Sequence, residues 1–291
     1  MLAEQGGYVF AVDLNEELLL AEWKDNPKVH TRRVDVTDTK SIEALVQEVR
    51  DSGKGIFGLF NNAGIGHPSI SIVDCPEELM VRTMNINCFG IYRMTKAFFP
   101  LLKEENEKLK AAGEGTCSIV NMTSMAGLIA LPLVGAYCIS KHAAEALNAV
   151  LRRELSPFGI RVSAIEPTFS NTPIMVAARQ RLEYSEKCWE ELGEAQATIL
   201  DNTTLLDPVS IATMVVNALL SDPAPAQTII ASAWETFIGK VLIHVLPHKA
   251  LDSALTEGFL DRAKKLREKK ERHHRTVTTG GVVENVEKKD N

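Results

Sequence analysis

The stretch from Cys117 to Lys141, CSIVNMTSMAGLIALPLVGAYCISK, constrains this chain more than any other. Its first part, Cys117–Met122, is a largely apolar run that reads as a buried strand delivering Ser124 at its end. Its last part opens a helix over Ala136–Pro157, in which Tyr137 and Lys141 stand one turn apart on one face. An ammonium fixed beside a phenol favours the phenolate, so a group that ordinarily titrates near pH ~10 becomes a base near neutrality. A serine hydroxyl reaching the same substrate oxygen completes what alcohol oxidation or carbonyl reduction requires. Taken alone, Tyr-x-x-x-Lys reads equally as an amphipathic tyrosine at a helix edge and a solvated lysine.

Strand and helix patterns surround this stretch. Tyr8–Asp13, Thr31–Val36, Ile56–Phe60, Ile160–Ile165 and Gln227–Ala231 read as further strands. Asn15–Asp25, Ser41–Arg50, Met80–Leu102 and Val209–Leu220 read as helices, the second with an apolar stripe of Ile42, Leu45, Val46 and Val49 and the last begun by Asp207-Pro208. Asn148, Arg152 and Arg153 are placed on the outer side of the Tyr137 helix, and residues 173–205 form a helical lid. At 291 residues, with 45% apolar and 24% charged side chains, the chain suits one α/β domain over 1–250. Residues 251–291 are expected as a C-terminal helix and a basic, disordered tail, where Arg262–Arg275 is either a solvated helix face or unstructured.

A net charge of −6 argues against nucleic acid as a partner. Cysteines 75, 88, 117, 138 and 188 are odd in number and unpaired in spacing, which points to reduced thiols in a reducing compartment. No metal-ligand cluster is evident. No apolar run reaches the ~18 residues of a spanning helix. The nearest, Phe237–Leu246, is interrupted by Lys240 and His244 and reads as a packed helix, a pocket wall or an in-plane membrane contact.

Several pieces together carry a resemblance: Asp35-Val-Thr-Asp38, Asn61-Asn-Ala-Gly64, Asn87 in Asn-Cys-Phe-Gly, Ser124, Tyr137-x-x-x-Lys141 and Glu166-Pro-x-x-x-x-Thr172. With them the chain resembles the short-chain dehydrogenases/reductases over nearly its whole length, most closely the subgroup of retinol, 17β-hydroxysteroid and 3-hydroxybutyrate dehydrogenases. The resemblance implies a doubly wound, Rossmann-like, mostly parallel sheet with helices on both faces. It implies catalysis by Ser124, Tyr137, Lys141 and Asn87, with the asparagine kinking its helix and holding a proton-relay water. The dinucleotide would be held by Asp13, Asp35, Asn62, Ala63, Gly64, Tyr137, Lys141, Pro167 and Thr172. Asp13, at the end of its strand, would bind the adenosine ribose and repel a 2′-phosphate, favouring NAD over NADP. Thr168 stands where the family has glycine, which crowds the approach to the nicotinamide.

The N-terminus departs from the pattern. The ribose-binding acid should lie ~20 residues beyond a glycine-rich turn, yet only Met1–Val12 precede Asp13. Gly6-Gly7 would cap a helix C-terminus, whose partial negative charge repels phosphate. The first strand, central between the Tyr8 and Ile56 strands, is therefore expected to be missing, as in a truncated isoform or incomplete gene model. The expected function is NAD(P)(H)-dependent interconversion of a lipophilic alcohol, retinoid or steroid-like, and its carbonyl. A 3-hydroxybutyrate-type dehydrogenase and a catalytically silent homologue acting as an interaction partner are the alternatives. A homo-oligomer is expected, in the cytoplasm or at the cytosolic face of the endoplasmic reticulum with peripheral membrane contact; the final Lys288-Lys-Asp-Asn291 has dilysine retrieval spacing.

Overall fold

Short runs rich in β-branched and aliphatic residues, separated by amphipathic helices, favour parallel pairing, because each parallel pair needs a long crossover. In the computed structural model, which describes residues 1–180, 182–221, 225–230 and 248–280, every strand pair is parallel. Strands β1 (Val9–Asp13) and β2 (Val29–Arg33) form one sheet. Strands β3 (Gly58–Asn61), β4 (Ser118–Met122), β5 (Arg161–Pro167) and β6 (Gln227–Ile230) form another, in that spatial order. The division falls between β1 and β3.

The larger sheet is covered on both faces. Consecutive residues of a strand point to opposite sides, so Ile119 enters a cluster with helices α2 (Thr39–Asp51) and α4 (Phe89–Ala112), while Val120 enters one with helix α8 (Pro208–Leu220). Ile42, Leu45 and Val49 of α2 are the buried stripe read from the sequence, and Asp38 caps that helix by accepting from the Lys40 amide. Asp207 does the same for α8 through the Val209 amide.

Two expectations change and two become specific. The helix read over Met80–Leu102, with its kink at Asn87, is divided into α3 (Glu77–Asn87) and α4, meeting at Cys88, whose φ/ψ of −115°/−56° leave the ideal helix directly after Asn87. The strand read as buried over Tyr8–Asp13 is half-exposed at every position of β1 before Asp13, since among the described residues it pairs with β2 alone. Asn148 does not face outward: it is buried against β4, whereas Arg152 and Arg153 are exposed as expected. The basic run Arg262–Arg275 lies within helix α10 (Glu257–Gly280), which follows α9 (His248–Leu255). Helix α10 buries Ala263 and sets Arg267 3.5 Å from Glu194 of helix α7 (Lys187–Asp201), so of the two readings of this run the helix face is the one observed, with Arg262, Lys264 and Lys265 exposed. The segment expected as a lid holds helix α6 (Pro173–Arg179) followed by α7. Among the described residues no helix is long and apolar enough to cross a membrane. Phe237–Leu246 and the final lysines lie outside the described residues.

Candidate active site

Ser124 sits just beyond β4 and caps a 3-10 turn, Met125–Gly127, by accepting from the Ala126 amide at 3.1 Å. Its hydroxyl also lies 3.5 Å from the Pro167 carbonyl at the end of β5 and is close enough to the Tyr137 phenol to lower its pKa. The turn rests directly on helix α5 (Gly135–Leu155): a Cβ on Gly127 would stand 2.8 Å from the Lys141 carbonyl oxygen, a backbone atom that cannot yield cheaply. Glycine at 127 is what lets strand and helix bring Ser124 to Tyr137. The sequence reading passed over it, although its place three residues after the serine, in an Ala-Gly pair, was a usable signal.

Tyr137 and Lys141 do share a face of α5, with the lysine nitrogen 5.7 Å from the phenol ring centroid. Lys141 is buried and donates to the Met122 carbonyl at 2.9 Å. Desolvation pulls its pKa down to about 8, although Glu145, one turn on, and Cys88 pull the other way. Burial pushes the Tyr137 phenol up to about 12, against the nearby Ser124 hydroxyl, which lowers it. The phenol is therefore not acidified as expected: burial leaves Tyr137 neutral at pH 7, while Lys141, though lowered, still carries its proton there.

Asn87 is fully buried and holds the turn that follows β3. Its Oδ1 accepts from the Ile65 amide at 2.8 Å, and its Nδ2 donates to the Ile65 carbonyl and to Ser140 Oγ, each at 3.0 Å. Ser140 in turn donates to the Tyr137 carbonyl at 2.7 Å. Gly64 fits between these groups, since a Cβ there would lie 3.4 Å from Asn87 Oδ1 and 3.7 Å from Lys141 Nζ. A second set of amides fixes the strands beneath. Asn61 donates to Asn121 at 2.8 Å, and Asn121 donates to Asn148 at 2.8 Å, all three buried. Helical spacing carried the clue to Asn148, because position 148 falls on the Lys141 face two turns on. The same bonds occupy Asn121, the asparagine of a glycosylation sequon, inside the sheet.

The other predicted positions lie farther along the carboxyl edge of the two sheets, where open α/β folds take their ligands. Asp13 is exposed at the end of β1 and accepts from the Asn15 amide at 2.9 Å. Asp35 follows β2 and accepts from the Thr37 amide and hydroxyl at 2.8 and 2.7 Å, which holds its carboxyl below the usual range. Asn62 and Ala63 are exposed after β3, Pro167 is buried in β5, and Thr172 is half-buried at the start of α6 with its amide on the Ser170 carbonyl at 2.8 Å. The structure therefore gathers Ser124, Tyr137, Lys141, Asn87 and Gly64 into one place and sets Asp13 and Asp35 on the separate β1–β2 sheet.

Comparison with known proteins places this geometry. Residues 1–183 match the family model described as short chain dehydrogenase. The chain is 39% identical over 168 residues to bovine (Bos taurus) short-chain dehydrogenase/reductase family 9C member 7, covering 57% of this chain and 50% of that protein. It is 34% identical over 166 residues to human 17-beta-hydroxysteroid dehydrogenase type 6, covering 56% and 49%, and 36% over 158 residues to mouse (Mus musculus) retinol dehydrogenase 16, covering 54% and 46%. It spans about half the length of these relatives. Among solved structures, a short-chain dehydrogenase from Streptomyces avermitilis superposes with a TM-score of 0.67 at 23% identity, covering 88% of each chain, which shows the fold. Family model, sequence likeness and the meeting of serine, tyrosine, lysine and asparagine agree: the chain belongs to the short-chain dehydrogenases.

Proposed function

We propose that the chain is a nicotinamide-dependent oxidoreductase interconverting a lipophilic alcohol and its carbonyl. The observation that carries this reading is the convergence of Ser124, Tyr137 and Lys141 on one buried point at the end of β4. A neutral phenol beside a serine hydroxyl suits protonation of a carbonyl oxygen, with Ser124 fixing that oxygen. In the reverse direction Tyr137 receives the proton from the alcohol. Lys141, with one donor on the Met122 carbonyl and others free to turn towards the phenol and a ribose, supplies charge beside it. Asn87 holds the Ile65 turn and the Ser140 link in place through both Nδ2 protons.

The donor set fits the nicotinamide-ribose end of a dinucleotide, where Lys141, Asn62–Gly64, Pro167 and Thr172 would hold it, and the nicotinamide when bound supplies the hydride exchange. At the adenosine end Asp13 would accept from ribose hydroxyls, assisted by Asp35, and disfavour a 2′-phosphate, so we assign NAD in preference to NADP. Relatives named for retinol and 17-beta-hydroxysteroid make a retinoid or steroid alcohol the substrate class, over which the lid of α6 and α7 would close. Assembly as a homo-oligomer and contact with the cytosolic face of a membrane belong to the same proposal, with all five cysteines free as a reducing compartment keeps them.

Separation of the β1–β2 sheet from the rest favours one competing reading, a catalytically silent chain that acts through protein contacts. Titration with NADH followed by fluorescence separates the two. Saturable binding, followed by turnover of retinaldehyde or a ketosteroid, supports the enzyme; absence of binding supports the silent chain.

A further inference from the structure

His67 lies in the loop after β3, buried, and no part of the proposed chemistry uses it. Its Nδ1 is 2.7 Å from the Pro68 carbonyl oxygen, and its Nε2 is 3.1 Å from the backbone nitrogen of Tyr137. A carbonyl only accepts and an amide only donates, so the two contacts together fix the tautomer: Nδ1 carries the hydrogen and Nε2 is the bare acceptor. The bond has a local reason. The first turn of any helix leaves its amides without intrahelical partners. At the start of α5 the capping position is Val134, which offers no side-chain acceptor. Tyr137 is the third residue of that helix, and His67 accepts its amide from across the site.

The entry to α5 is held at several further points. Leu133, immediately before Val134, is buried with φ of 62°, a left-handed conformation that a leucine adopts only when its surroundings enforce it. Its carbonyl accepts from the Ile70 amide at 2.8 Å, and the Pro132 carbonyl accepts from Gln196 of α7 at 2.6 Å. The loop bearing His67 also grips the lid: the Ser69 amide donates to the Gln180 carbonyl at 2.8 Å, and the Tyr184 hydroxyl donates to Ser69 Oγ at 2.9 Å.

We propose that His67 is a positioning residue for Tyr137: through Nε2 it caps the first turn of α5 and links the lid-gripping loop to the seating of the phenol. This rests on the reading of Tyr137 as the proton-transferring residue. Burial lowers the imidazole pKa, which keeps it a neutral acceptor near pH 7.

The test compares His67→Gln, whose side-chain oxygen reaches about as far as Nε2, with His67→Asn, which is polar but too short. In the native chain, nitrogen-15 correlation should show a protonated Nδ1 and a bare Nε2 at His67. His67→Asn should speed exchange of the Tyr137 amide roughly fivefold to tenfold and lower kcat for retinaldehyde reduction about as much, with the KM for NADH unchanged. His67→Gln should keep both within about twofold of the native chain. A hydrogen on Nε2, an unaltered Tyr137 amide in His67→Asn, or equal losses in both variants would overturn the proposal. Should His67→Asn fail to fold, the imidazole spectrum of the native chain and the Tyr137 amide in His67→Gln still decide the cap. A native chain that binds no NADH would instead refute the proposed reaction, leaving the spectrum and the amide exchange to decide the cap alone.

Discussion

The two sheets of this molecule are built from similar residues and end up in different physical states. Ile119, Val120, Ala164 and Ile165 in β4 and β5 are wholly removed from water, with helices on both faces and hydrogen-bonded neighbours on both edges. Val9, Phe10, Ala11 and Val12 of β1 are half-exposed, although Phe10 and Val12 touch the same apolar cluster, because one edge of their strand has no partner in the sheet. Everything proposed to handle a proton hangs on the first sheet. The carboxylates proposed to meet adenosine hang on the second. On this proposal chemistry sits where the backbone is over-determined, and cofactor selectivity where it is less so.

The largest expected effect lies on the rigid side. Tyr137→Phe should lower kcat by roughly 10²–10⁴ while leaving the circular dichroism spectrum and melting temperature nearly unchanged, since it removes only the group that transfers the proton. An active phenylalanine variant would dissolve the distinction between the two sheets as catalytic and supporting halves. Packing gives the next effect. Ile119→Ala should cost about 2–5 kcal/mol in denaturant unfolding, whereas Val12→Ala should cost about 1 kcal/mol, because half-buried β1 loses less area and leaves no sealed cavity. Equal losses would mean that β1 is as firmly packed as β4.

Lys141 sharpens the contrast through pH. Its folded pKa of about 8 lies below its ordinary 10.5, a difference corresponding to about 3 kcal/mol of unfavourable charge burial. Below pH ~8 folded and unfolded chains both keep the proton and the full cost is felt. Between about 8 and ~10 the folded chain releases the proton while the unfolded chain retains it, so stability should rise with pH. Above ~10 Tyr137, with its folded pKa raised to about 12 from an ordinary 10.0, works in the opposite direction, because the unfolded tyrosine ionises first. Lys141→Met should flatten the rise and stabilise the chain at pH 7 by about 1–3 kcal/mol while abolishing turnover. The smallest effect belongs to the exposed side: Asp13→Ser should shift the NAD to NADP preference of kcat/KM by about tenfold without altering stability, checked by parallel assays with the two cofactors.

Much of this was legible in the residues. Period-two and period-3.6 patterns located the strands and the stripe of α2, and the motif residues Ser124, Tyr137 and Lys141 meet as their order suggested. What escaped depends on environment rather than pattern. That a lysine four residues from a tyrosine should acidify it follows from spacing; that burial reverses the outcome for the phenol follows only from the tertiary packing around Tyr137 and Lys141. His67 was likewise invisible, because its partner is the Tyr137 amide seventy residues on, and a backbone group carries no sequence signature.

The central claim, that Tyr137 and its neighbours pass a proton to a carbonyl oxygen as hydride arrives from a nicotinamide, can be tested most directly with NADH deuterated at the transferring position of C4. Incubated with the chain and retinaldehyde, it should yield retinol carrying deuterium on the carbinol carbon, C15, and Tyr137→Phe should yield none above background. Retinol without the label, or label transfer undiminished in the phenylalanine variant, would contradict the account.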